Sequence, residues 1–157
     1  MKETIDRRSF LSALALAACS GLVRPAQAAA KDGFVMWHSP GCGCCLEWAK
    51  RMEVAFKRKL PIVEAPDMAR VKRAQGVPDD LQSCHTALIH GYAIEGHVPP
   101  TDIQRLIRSK SGIVRGLAVP GMPAGSPGMD VGHNRRDPYQ VIAFAPKGRR
   151  SVFARHG

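Results

Sequence analysis

The sequence predicts an α/β fold in which one mixed sheet carries helices. Three observations lead there. Short apolar segments alternate with stretches at helical spacing, and a two-residue hairpin signature follows them near the middle of the chain. The third is size: 157 residues, 45% of them hydrophobic and 23% charged, suit one globular domain with a single core.

The first strand is Phe34-Val35-Met36-Trp37, which runs into Ser39-Pro40-Gly41-Cys42-Gly43-Cys44-Cys45. Out of that turn, Cys45 to Arg58 reads as a helix with Trp48, Ala49, Met52, Ala55 and Phe56 on one face. Glu47 with Arg51 and Glu53 with Lys57 are placed to form i,i+4 ion pairs on its outside. Leu60-Pro61-Ile62-Val63-Glu64 reads as a second strand, parallel to the first because a helix joins them. Asp67 is expected to cap a short basic helix, Met68 to Gln75, which Gly76 and Pro78 end.

Thr86 to Ile89 and Tyr92 to Glu95, separated by His90-Gly91, predict the hairpin. Pro99-Pro100 breaks it. Thr101 and Gln104 then spell a capping box for a helix that sends Ile103, Leu106 and Ile107 to the core. The order β-α-β-α-β-β-α is that of a thioredoxin-like sandwich. From Gly116 to Met129 the chain is a Gly/Pro loop with almost no capacity for helix or strand, and Met122 and Met129 each stand in a Pro-Gly-Met context. Tyr139 to Phe144 and Ser151 to Arg155 close the chain as a second hairpin. Residues 29–157 are therefore expected to form a single domain.

Residues 1–28 are expected to be a signal peptide rather than part of the fold. Asp6-Arg7-Arg8-Ser9-Phe10-Leu11 is a twin-arginine pattern, and the apolar run Phe10 to Val23 is short for a membrane span. Arg24-Pro25-Ala26-Gln27-Ala28 ends in an A-x-A cleavage site. Leu16-Ala17-Ala18-Cys19 also fits lipoprotein processing, so membrane attachment follows only if Cys19 is lipidated. Both routes lead out of the cytoplasm, to the periplasm. The net charge of +10 is spread over Lys57-Arg58-Lys59, Arg70 to Arg73 and Arg149-Arg150 with no recognition motif beside it. That argues against nucleic acid and for attraction to an anionic envelope component.

Cys42, Cys44 and Cys45 crowd three thiols into four positions at a helix start, where the dipole and unpaired N–H groups favour the thiolate. Thiolates attack disulfides or bind metal. Ordinary structural disulfides suit this crowding poorly, although Cys42 and Cys45 have the C-x-x-C spacing of a redox-active bridge. In a thioredoxin-like fold the segment entering the third strand passes beside this turn. Ser83-Cys84-His85-Thr86 occupies that entry, so Cys84 and His85 are expected to face the cluster. Thioredoxin-like oxidoreductases place a cis-proline where this chain has His85. A proline ring would obstruct a metal, whereas Cys84 and His85 supply two ligands.

Such soft donors suit Cu(I), Zn(II) or an iron–sulfur cluster. One tetrahedral zinc could hardly use three adjacent thiols, and thiolates shared between several Cu(I) ions fit better. Met122 and Met129 would add thioether sulfur; the blander role for them is filling gaps in the core. His97 and His38 are lesser candidates for a role at the cluster, His90 is expected in the hairpin turn, and His133 and His156 lie in stretches that read as exposed. No paired carboxylates, Gly-rich phosphate loop or Ser-His-Asp pattern argues for other chemistry.

Ser39 to Cys45, Ser83 to Ala87, Gly91 to Pro99 and Gly116 to Met129 resemble the successive motifs of the periplasmic CopG-type copper-resistance proteins. The resemblance spans residues 34–156. It implies a thioredoxin-like fold, copper bound by Cys42, Cys44, Cys45 and Cys84, and copper handling outside the cytoplasm, with metal ions and other envelope copper-handling proteins as partners. Copper could be held as Cu(I) or cycled with Cu(II). Two alternatives stay open: a thiol–disulfide oxidoreductase using Cys42 and Cys45 with Cys44 or Cys84 as resolving thiol, and a purely structural envelope domain.

Overall fold

The computed structural model describes residues 33–132 and 134–157, so the expected signal peptide, Cys19 and His133 lie outside the described residues. Strand β1 (Phe34–His38) leads to helix α1 (Gly43–Phe56), β2 (Ile62–Glu64), α2 (Met68–Gln75) and a 3₁₀ turn at Asp79–Leu81. Strands β3 (His85–Ile89) and β4 (Tyr92–Glu95), helix α3 (Pro100–Ser109), then β5 (Gly116–Ala118), β6 (Tyr139–Phe144) and β7 (Arg150–His156) complete it. All strands share one sheet in the order β2-β1-β3-β4-β5-β6-β7. β1 is parallel to β2 and β4 to β5, while the other neighbours are antiparallel. The α/β class, the mixed sheet and the parallel β1–β2 pair are as the sequence predicts.

The period of two along each strand sorts side chains between two cores. Phe34, Met36, Ala87, Ile89 and Ile94 meet Trp48, Ala49 and Met52 of α1 and Ile103 and Leu106 of α3. On the other face Ala93, Ala118 and Phe144 meet Val77 and Leu81. Among the described residues, no helix is long and apolar enough to cross a membrane.

Several local expectations give way to longer-range partners. Helix α1 starts at Gly43, with Cys42 as its N-cap, and ends at Phe56, where Lys57 turns left-handed. Ala55 and Phe56 are only half-buried at that end. The i,i+4 pairs do not form. Glu47 pairs with Lys50 at 2.6 Å, Arg51 reaches Asp130 at 2.6 Å, and Glu53 pairs with Lys59 at 2.8 Å. Nor does the capping box form: Pro99 is the N-cap of α3 and Pro100 its first residue, a position that proline's missing N–H suits. Gln104 instead donates to the Ala55 carbonyl at 3.0 Å. His156 is half-buried rather than exposed, bonded to Asp102 at 2.7 Å and stacked on Tyr139.

Gly116–Ala118, expected in a loop, is the strand β5 between β4 and β6. A Cβ at Gly116 would lie 2.0 Å from the Ala93 carbonyl oxygen, so only glycine lets the backbones approach. Hydrogen bonding to both neighbours outweighs the weak strand propensity of three residues.

One buried ion pair ties the central strands to α2. Glu95, fully buried, accepts hydrogen bonds from Lys72, from the Ser83 N–H at 2.6 Å and from the Thr86 hydroxyl at 2.7 Å. Burial pushes its carboxyl above the ordinary range, and these donors oppose that push. Removing one member of such a pair strands the other charge. Glu95→Ala is expected to lower unfolding free energy by about 3–5 kcal/mol, read from urea denaturation.

Candidate metal centre

The site forms where β1 ends. His38 is buried and its Nδ1–H donates to the Ser39 carbonyl at 2.7 Å, which fixes the chain as it turns. Cys42 caps α1 with no side-chain bond to the helix backbone, its Sγ lying 3.5 Å from that of Cys44, and Cys44 and Cys45 fall in the first helical turn, where backbone N–H groups lack intrahelical partners. Cys42 and Cys45 are joined by a disulfide. Cys44 and Cys84 are free and half-buried.

Across the sheet, His38 pairs with His85, so the residue before β3 arrives beside the turn. All four sulfur atoms lie within 4.8 Å of one another. Cys84, so far away in sequence, faces the triplet as expected.

Two imidazoles flank Cys84. Its Sγ lies 3.0 Å from His97 Nε2 and 3.3 Å from His85 Nδ1. His97 Nδ1–H donates to the Pro127 carbonyl at 2.8 Å, so a neutral His97 turns its Nε2 lone pair to the sulfur. Burial holds His97 below the ordinary imidazole range, partly opposed by the bond to Pro127. His85 is held well below it, by burial first and then by His97, Lys72 and His38. Its ring packs 4.4 Å from that of Trp48, and its buried Nε2 has no hydrogen-bond partner among the described residues.

The Cys84 thiol is pushed up to about 12, by burial and then by Cys44. The thiolate expected of the whole cluster is thus disfavoured at this sulfur. Without metal, Cys84 is a thiol donating S–H to His97 Nε2, and a soft cation would displace that proton. Cys84, His85 and His97 form a second set of three donors, again within 4.8 Å of each other.

The Gly/Pro loop lies on this site as a strap. A Cβ at Gly128 would be 2.8 Å from the Cys44 carbonyl oxygen and 2.9 Å from the Trp48 nitrogen. Asp130 holds the strap down by accepting from Arg51 at 2.6 Å and from the Gly128 N–H at 3.1 Å. Met129, next to Gly128, is half-buried. Met122 is 54% exposed and follows Gly121, whose carbonyl accepts from Ser83 beside Cys84.

The structure therefore brings Cys42, Cys44, Cys45, Cys84 and His85 together, lays the backbone before Met129 on them, and leaves Met122 at the surface. His97, a lesser candidate by sequence, is a full neighbour of Cys84. The hairpin register could have found it: continuing the Thr86–Glu95 pairing two residues sets Cys84 opposite His97.

A family model described as a protein of unknown function, DUF411, matches residues 81–129. Two solved structures, both of a copper resistance protein CopG, are similar over most of the chain. Form 2 is 42% identical, with a TM-score of 0.72, covering 79% of this chain and 97% of that one. Form 1 is also 42% identical with a TM-score of 0.72, covering 78% and 95%. Comparison with curated proteins gives no match.

The environment of Cys84 predicts slow thiol chemistry. In unreduced protein at pH 8, iodoacetamide is expected to label Cys84 roughly a hundredfold or more slower than an unperturbed cysteine, because only the thiolate reacts. Its labelling rate should climb with pH toward 12, the value to which its pKa is pushed; mass spectrometry of timed digests checks both.

Proposed function

The chain belongs to the family of the copper resistance protein CopG, and from that premise we propose that it binds copper as Cu(I) outside the cytoplasm and serves copper resistance. The convergence of four sulfur atoms within 4.8 Å carries this reading. In this proposal the reduced thiolates of Cys42, Cys44, Cys45 and Cys84 bridge several Cu(I) ions. A single tetrahedral zinc takes four ligands and would leave the imidazoles and thioethers unused, whereas thiolates shared between several ions leave positions for them. His97 and His85 supply imidazole at the Cys84 end, and Met129 and Met122 supply thioether, a donor that selects Cu(I). Shared thiolates would also let electrons pass between Cu(I) and Cu(II).

The wider reading follows the same line. The segment from β1 to α3 is taken as thioredoxin-like, with His85 at the start of β3 in place of the proline. The twin-arginine leader is taken to export the folded chain to the periplasm, with a lipid at Cys19 as the alternative anchor. Metal ions and envelope copper-handling proteins are its proposed partners.

A second reading has one observation in its favour. A closed Cys42–Cys45 disulfide with free Cys44 and Cys84 beside it is also what a thiol–disulfide oxidoreductase needs.

Anaerobic titration of the fully reduced protein with Cu(I) separates the two. More than one tightly held copper per chain is expected, and Cys84→Ser should lower that stoichiometry while Cys42, Cys44 and Cys45 keep their sulfurs. No stoichiometric copper, together with turnover of a mixed-disulfide substrate, would assign the chain to disulfide exchange instead.

A further inference from the structure

The disulfide divides the four sulfurs into two pairs with different prospects. Cys42 and Cys45 are bonded to each other, and a disulfide sulfur is not the thiolate that binds metal. Cys44 and Cys84 keep their thiols, with sulfurs within 4.8 Å of each other. Cys84 keeps both imidazoles as well. His97 Nδ1 is committed to the Pro127 carbonyl, so Nε2, 3.0 Å from Cys84 Sγ, is the nitrogen left with a lone pair. His85 is fully buried, and among the described residues the only hydrogen-bonding contact of its ring is with the same sulfur, at 3.3 Å. None of these groups depends on the disulfide being open.

We propose that the disulfide-closed protein retains a separate site for a single Cu(I), held by Cys44, Cys84 and His97, and that opening the Cys42–Cys45 bond adds the remaining copper capacity. This rests on the reading of the chain as a Cu(I) binder. Two soft sulfurs and one imidazole form a low-coordinate donor set suited to Cu(I), whereas Zn(II) in a closed site takes four ligands. Binding breaks the S–H bonds of Cys44 and Cys84 and releases their protons, with copper staying Cu(I). Opening the disulfide is a distinct step. A dithiol reductant gives two electrons and two protons to Cys42 and Cys45 and becomes a disulfide itself.

His97 would be a ligand in this closed state, with the strap as its support. The carbonyl that orients it belongs to Pro127, whose segment Asp130 and Arg51 clamp to α1. A metal-bound imidazole whose other nitrogen donates to a carbonyl is the usual arrangement around a metal site.

The test uses unreduced protein, shown by alkylation and mass spectrometry to keep the Cys42–Cys45 bond before and after metal addition. Cu(I) is delivered anaerobically from a weak competing chelator, and X-ray absorption reads the donor atoms. About one Cu(I) per chain is expected, with mixed sulfur and nitrogen donors; the reduced protein should take more. Cys44→Ser and Cys84→Ser should each abolish closed-state binding, and His97→Gln should weaken it by about tenfold or more and remove the nitrogen signal. A Cys42→Ser/Cys45→Ser double variant, which removes the same two sulfurs without a disulfide, should still take about one Cu(I).

Closed protein that binds nothing, binds only after copper opens the disulfide, or binds independently of Cys44 and Cys84 would overturn the inference. If the reduced protein then still loads several coppers, the copper-binding reading stands without it. Absence of binding in both states would remove that reading too.

Discussion

The sulfur cluster depends on strand register. β1 ends at the cysteine turn, and its antiparallel pairing with β3 sets His85 opposite His38, which brings Cys84 to the mouth of that turn. The pairing of β3 with β4 then carries His97 to the other side of Cys84. A one-residue slip in either ladder would send these side chains to the opposite face of the sheet. Glu95 reinforces the register from that opposite face, accepting from Ser83 and Thr86 on the chain that carries Cys84 and His85. Gly96 allows the close approach between them: a Cβ there would lie 2.6 Å from Ser83 and 2.7 Å from the Val119 carbonyl oxygen.

Electrostatics at the site pull in two directions. The start of α1 offers partial positive charge to Cys44 and Cys45, as any helix N-terminus does. Burial at Cys84 and the two neutral imidazoles beside it offer no such charge, so that thiol keeps its proton. The Cu(I) proposed for the site would resolve the conflict. It would supply the missing positive charge among the sulfurs and accept lone pairs from groups that stay neutral without it. The orphaned Nε2 of His85 belongs to the same balance, since protonating that ring would place an unpaired charge against Trp48.

Much of this was legible in the chain. Period-two and helical spacing gave the elements through α3, and the two-residue turn at His90-Gly91 set a hairpin whose register already implied the Cys84–His97 contact. What was not legible depended on distant partners. β5 is only three residues long and exists because β4 and β6 pair with it on both sides. The ion pairing of Arg51 is not visible in local spacing, because Asp130, 79 residues away, competes successfully with Glu47 at one turn's distance. The capping box failed because Pro100 at the first position of α3 already suits a helix start, which left Gln104 to bridge to α1. At the candidate site, composition points to the sulfurs but not to the state of Cys84, because burial is a property of the fold.

The strap shows why a segment without helix or strand can still be built to a close tolerance. Its glycines serve close approach: Gly128 lies flat on the first turn of α1, and Gly125 leaves room for Arg136. Its polar groups are tied at both ends, with Ala124 and Asp137 exchanging backbone and side-chain bonds at 2.8 and 3.1 Å and Asp130 clamped by Arg51. Arg51 stands on the helix whose first turn carries Cys44 and Cys45, so the strap is fastened to the body that carries the cysteines. Through the Pro127 carbonyl it selects which nitrogen of His97 meets Cys84. The loop therefore orients the imidazole beside Cys84 through a backbone carbonyl, without a side chain of its own.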